Sequence, residues 1–180
     1  MNIRNTKEDY GLIAKILHWL IAVCMIGLIL VGWYMSGLSD ERVLYWRLLD
    51  LHEMLGLSFF IIVPIKVMWR MFSPNPHVVR GLSRWESRAA RIVHELFIIA
   101  IAVIPVSGFL FVASNGEAVR LYDMITIPDI GRLSKGMRSL LIDTHYYVSY
   151  GCAALIAVHI LAALKHRFVD LNGTVGRMTF

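Results

Sequence analysis

Residues 143–167, DTHYYVSYGCAALIAVHILAALKHR, decide the fold of this chain, because they place two histidines inside a run long and apolar enough to cross a bilayer. His145 and His159 are fourteen residues apart. On an α-helix that interval is about four turns, so both imidazoles leave from nearly one face, about 21 Å apart along the axis. An imidazole at membrane depth costs free energy, and intramembrane ionisable residues mark functional sites. The spacing therefore predicts two groups stacked across the membrane, one near each surface, each taking a nitrogen ligand from this helix.

The rest of the chain has the same character. Of its 180 residues 57% are hydrophobic and the mean hydropathy is +0.61. Ordinary soluble domains are roughly 45–50% apolar, so this composition excludes one and predicts an integral membrane protein. Cys24 and Cys152 lie in apolar runs and neither begins a C-x-x-C-H motif. They are expected as small core residues, not as a disulfide or a covalent c-type haem attachment. No cleavable signal peptide is expected, since the first apolar run is too long for an h-region and itself holds a histidine.

Four hydrophobic spans, residues 12–35, 51–69, 92–113 and 144–164, each approach the ~20 residues that a hydrocarbon core requires. They predict an all-α fold, an integral membrane four-helix bundle forming a single domain over residues 1–180. Pro64 and Pro105 fall inside spans two and three, where kinks and not breaks are expected. Residues 73–84, with Pro74, Pro76 and Gly81, form a polar loop.

Charge sets the orientation. The N-terminal arm, the loop between spans two and three and the C-terminal tail hold twelve of the 18 Lys and Arg residues, counting Lys15, Lys66 and Arg70, for a net charge of +7; the other two loops net −2. The positive-inside rule places both termini in the cytoplasm. The basic surplus faces the anionic inner leaflet, and membrane lipid, not nucleic acid, is the partner it implies.

The outer segment 114–143 is long for a plain connector and is expected to fold over the outer site or to dock a periplasmic redox partner. Its Arg120, Arg132, Lys135 and Arg138 are balanced by Glu117, Asp123, Asp129 and Asp143, so no electrostatic steering of an anion is expected there.

The histidines now acquire depths. His18 lies about two turns inside the inner end of span one and His159 a similar distance from the inner end of span four, while His52 and His145 open spans two and four on the outer side. The same interval of fourteen leads from His18 to Gly32, from His52 to Lys66 and from His94 to Gly108. Small residues would leave room at the outer level, and a cation would stand at the inner one.

A flat macrocycle bearing carboxylates suits such an arrangement, and haem meets it best. Iron would be held from both sides by His18 with His159 and by His52 with His145. With both axial positions filled the expected chemistry is outer-sphere electron transfer between the two faces of the membrane. A histidine-lined metal transporter is the competing reading, because neutral imidazoles also bind zinc or copper. Its weakness is the lack of carboxylates or thiolates beside a histidine pair.

Several strings carry a resemblance: YGLIAKILHW with His18, LHEMLG with His52, WRMFSPNP, RIVHELF with His94, SGFL with Gly108, and DTHYYVSYGCAALIAVHILAALKHRF with His145 and His159. In order, and over nearly the whole chain, they resemble the prokaryotic cytochrome b561 family. The resemblance implies a multi-pass protein of the bacterial inner membrane with two b-type haems. His18 and His159 would ligate the inner haem and His52 and His145 the outer one, and electrons would be exchanged with ubiquinone or another quinone.

Other residues receive roles on the same ground. His94, at the cytoplasmic start of span three, is a candidate for lining a quinone pocket or meeting a haem propionate. Lys66 and Arg70 are candidates for the inner propionates, or else snorkel to the headgroups. His166, between Lys165 and Arg167, reads as a surface residue. Some members of the family oxidise superoxide on the outer face, which favours a positive entrance; the balanced outer segment places this chain nearer a sister branch. A haem-bearing membrane anchor for a larger periplasmic dehydrogenase is the alternative redox reading.

Overall fold

The structure, a computed structural model, describes residues 2–180 apart from 78, 80, 115, 117, 122–124 and 128. Four helices cross in alternating directions: α1 (Leu12–Ser36), α2 (Val43–Phe72), α3 (Arg84–Ala113) and α4 (Lys135–Phe168). Each is long and apolar enough to span a membrane. Pro64 and Pro105 lie inside unbroken helices, as the sequence implied.

Three helices begin well before their hydrophobic spans. α2 and α3 each start eight residues earlier than the apolar run and α4 nine. The apolar run measures hydrocarbon thickness, whereas a helix starts where its first amides find a cap. Ser83 and Glu86 form a capping box at the head of α3, and the Ser134 side chain accepts from the Met137 amide at the head of α4.

Between α3 and α4 the backbone makes a small antiparallel ribbon, β1 (Val119–Leu121) with β2 (Ile125–Ile127), Arg120 opposite Thr126. The all-α reading did not include it; short runs rich in β-branched residues favour such pairing. Of the charges expected to balance in this segment, Glu117, Asp123 and the side chain of Arg120 lie outside the described residues.

The bundle is layered at intervals of seven residues, about two turns. Seven residues after His18, His52, His94 and His145 stand Met25, Phe59, Ile101 and Cys152, exposed by 4%, 2%, 5% and 1%. They form the middle of one core with Leu28, Val63, Ala100 and Ile104. This dry layer separates an outer level (Gly32, His52, Gly108, His145) from an inner one (His18, Lys66, His94, His159). Elsewhere little is buried: Cys152 is the one buried residue of α4 among those described. Lipid is as apolar as leucine, so these helices gain little from hiding apolar side chains from it.

Packing is uneven. α1 lies against α2, α2 against α3, and α3 most closely against α4, whereas α1 and α4 touch little and α2 and α4 make at most marginal contact.

At the cytoplasmic end the chain laces itself together. Asn5 donates to the Pro74 carbonyl at 3.0 Å, and the His77 amide donates to the Lys7 carbonyl at 2.8 Å. The segment after α4 folds back over α1. There Lys15, only 8% exposed, donates to the Thr179 carbonyl at 2.6 Å, and Trp19 Nε1 donates to the Met178 carbonyl at 2.8 Å.

Two such hydrogen bonds, each worth about 1 kcal/mol, hold the open form about 30-fold less populated than it would be without them. The double variant Lys15→Met, Trp19→Phe should therefore be cut by trypsin after Arg177 about 30-fold faster wherever opening precedes cleavage. An unchanged rate would show that the segment is held by other contacts.

Candidate functional site

At the outer level His52 of α2 and His145 of α4 face each other with ring centroids 6.0 Å apart. At the inner level His18 of α1 and His159 of α4 stand 6.3 Å apart. Two imidazoles that ligate one metal from opposite sides hold their ring centres about 6 to 6.5 Å apart. That follows from metal–nitrogen bonds near 2.0–2.1 Å and about 1.1 Å from each nitrogen to its ring centre. Both pairs meet this requirement, and each joins helices that the packing leaves apart.

The local geometry of the outer pair explains its glycines. His145 Nδ1 lies 2.8 Å from the Ile104 carbonyl of α3. A carbonyl only accepts, so Nδ1 carries the proton and Nε2 keeps its lone pair for a ligand. The ring reaches that carbonyl because Gly108, one turn later, has no side chain. A Cβ there would stand 2.9 Å from Cε1 and Nδ1 of His145.

α1 repeats the motif. The His52 ring lies against Gly32, where a Cβ would stand 3.3 Å from its Cε1. The backbone of Leu28, one turn before Gly32, is offered to the ring. Among the described residues, His52 Nδ1 is nonetheless buried without a partner in hydrogen-bonding geometry. The glycines thus clear space for the imidazoles themselves, not only for a macrocycle.

Around the outer pair lies a cavity of about 370 Å³. Its walls are mostly apolar, including Leu28, Phe59, Pro105 and Phe109, with Trp33 and Tyr150 at one side and Glu53 among the few polar groups. Trp33 meets Tyr150 edge-on at 6.2 Å, and the Tyr146 hydroxyl donates to that of Tyr150 at 3.3 Å. Such a mostly apolar pocket with nitrogen ligands on facing helices fits a haem.

The inner level holds a third imidazole. His94 of α3 stands 5.7 Å from His159 between ring centroids, so centroid distance alone does not choose between His18 and His94 as its mate. Packing does. α3 and α4 are in close contact, which leaves no room for a macrocycle between them, whereas α1 and α4 are apart. Phe97 edges against the same His159 ring at 5.5 Å.

The basic candidates divide. Arg70 forms an ion pair with Glu95. Lys66 is half-buried within electrostatic reach of His18 and His94, and no hydrogen bond or ion pair engages it among the described residues.

His166 is not a plain surface residue. Its Nδ1 lies 2.6 Å from Asp170 Oδ2, and Lys165 binds the same carboxylate at 2.7 Å and Glu86 at 2.8 Å. Hydrogen bonds from Lys165 and His166 hold the Asp170 carboxyl below its ordinary range. Among the described residues, Glu86, His166 and Asp170 are the one group of three donors close enough to share a metal ion, and the Lys165 ammonium already occupies its centre. Among the described residues, no carboxylate or thiolate joins an imidazole pair at either histidine level to complete a zinc-type set, which weighs against the transporter reading.

The model of the prokaryotic cytochrome b561 family matches residues 9–180. "Cytochrome b561 homolog 2" of Escherichia coli (strain K12) is 29% identical over 99% of this chain and 95% of its own length. "Cytochrome b561 homolog 1" of the same organism is 23% identical over 90% of the chain and 92% of its own length. "Probable superoxide oxidase CybB" of Yersinia pestis is 22% identical over 95% of the chain and 96% of its own length. The chain stands nearer to homolog 2 than to that oxidase, as its balanced outer segment implied. Four membrane-spanning helices and a family match over nearly the full length make this chain a member of the prokaryotic cytochrome b561 family, a multi-pass haem b protein of membrane electron transfer in the bacterial inner membrane.

Proposed function

We propose that the protein carries electrons across the membrane through two bis-histidine haems and exchanges them with the quinone pool. His52 and His145 hold the outer haem, His18 and His159 the inner one. The observation that carries this reading is that both imidazole pairs stand at ligating separation across helix pairs whose backbones stay apart.

Haem supplies a one-electron couple. This chain's own residues do the rest. The Ile104 carbonyl fixes His145 with its Nε2 free, and the layer of Met25, Phe59, Ile101 and Cys152 keeps water from the path between the levels. Lys66 would offer a cation to an inner propionate, and His94 stands beside His159, where a quinone headgroup is proposed to approach. Arg70 can serve a propionate only by leaving Glu95.

The test is spectroscopic. Dithionite-reduced minus oxidised spectra of the purified protein should show a low-spin b-type α band, and pyridine haemochrome should count two haems per chain. Protein that binds zinc stoichiometrically and shows no α band would return the transporter reading to first place. A quinol added to the oxidised protein should reduce the band; failure of that step alone leaves the haem assignment standing and removes the quinone.

A further inference from the structure

The cytoplasmic end of α3 carries charge that the fold leaves uncompensated. Arg84, Arg88 and Arg91 fall within about 60° of one another around the helix and over about 10 Å of its length, so they form one stripe. All three are exposed. The acids that share this end of α3 are engaged elsewhere. Glu86 is bound by Lys165 and by its own cap, Ser83. Glu95, four residues after Arg91 and its natural helical partner, is instead taken by Arg70 of α2.

No hydrogen bond or ion pair engages the three arginines among the described residues, and the helix dipole adds to their charge instead of offsetting it. The adjoining side of α3 continues into the membrane as Ile92, Leu96 and Ile99, exposed by 60%, 41% and 57%. Trp85, 68% exposed, stands beside the stripe at the depth where aromatic side chains meet headgroups.

Guanidinium forks match phosphate oxygens two at a time. We propose that Arg84, Arg88 and Arg91 form a binding site for the phosphate headgroup of an acidic phospholipid of the cytoplasmic leaflet. Its acyl chains lie along Ile92, Leu96 and Ile99. The site is independent of the haem assignment, because it uses no residue of either histidine level.

Trp85 is the reporter. The protein and its Trp85→Phe variant are reconstituted in phosphatidylcholine vesicles in which about one fifth of the lipid is brominated phosphatidylglycerol or, separately, brominated phosphatidylcholine. The difference between protein and variant isolates quenching of Trp85. The acidic brominated lipid should quench it at least about threefold more than the zwitterionic one. Arg84→Gln, Arg88→Gln and Arg91→Gln together should bring the two to equality.

Millimolar inorganic phosphate should leave the preference intact. Equal quenching by the two lipids in the unaltered protein overturns the proposal whether or not the triple variant folds. So does a preference that survives the triple substitution. A preference abolished by inorganic phosphate assigns the stripe to a free anion and overturns the lipid.

Discussion

His52→Ala is expected to leave one haem per chain in place of the two proposed, with the reduced-minus-oxidised α-band amplitude falling by about half. The physical reason is the separation of the levels. The proposed inner ligands come from α1 and α4, and the dry layer of Met25, Phe59, Ile101 and Cys152 stands between them and the outer cavity. Removing an outer imidazole leaves that layer and the inner pair untouched. His145→Ala should give the same product. At the inner level His18→Ala should remove the haem that His94→Ala retains, because α1, unlike α3, stands far enough from α4 to admit a macrocycle. Loss of both haems from folded His52→Ala protein, or retention of the inner haem by His18→Ala, would break the assignment of pairs.

The second large effect should come from a substitution of one methyl group. Gly108→Ala places a Cβ 2.9 Å from two atoms of the His145 ring, inside any tolerable contact. The ring must move off the helix and lose its bond to Ile104. Losing such a partner of a ligating histidine typically costs 10–100-fold in affinity for the metal group. Haem transfer from the outer site to apomyoglobin should accelerate on that scale, with the inner haem unaffected.

Gly32→Ala meets His52 at 3.3 Å and should have a weaker effect of the same kind. Gly151→Ala, which meets nothing within 4 Å, is the control and should retain both haems. Equal haem loss from Gly108→Ala and Gly151→Ala would mean that helix geometry, not the imidazole seat, governs the site.

Much of this was legible in the chain itself. Four apolar runs of bilayer length gave four helices, because backbone amides in hydrocarbon have no partner but their own helix. The interval of fourteen set two levels, because helical periodicity converts sequence spacing into depth and face. The matched depths of His18 with His159 and of His52 with His145 became centroid separations near 6 Å. The ends of the helices were not legible from hydropathy, since capping at Ser83 and Ser134 follows local hydrogen bonding, not lipid thickness.

What the sequence alone determined is therefore depth: which residues share a layer, and at which surface. What only the tertiary structure decided is neighbourhood within a layer. It brought His94 beside His159, tied Arg70 to Glu95, and laid the His52 and His145 rings on Gly32 and Gly108. It also returned the segment after α4 to Lys15 and Trp19. A helical interval fixes height and facing on one helix, but the distance between two helices depends on how all four pack, and no local pattern in one segment encodes that.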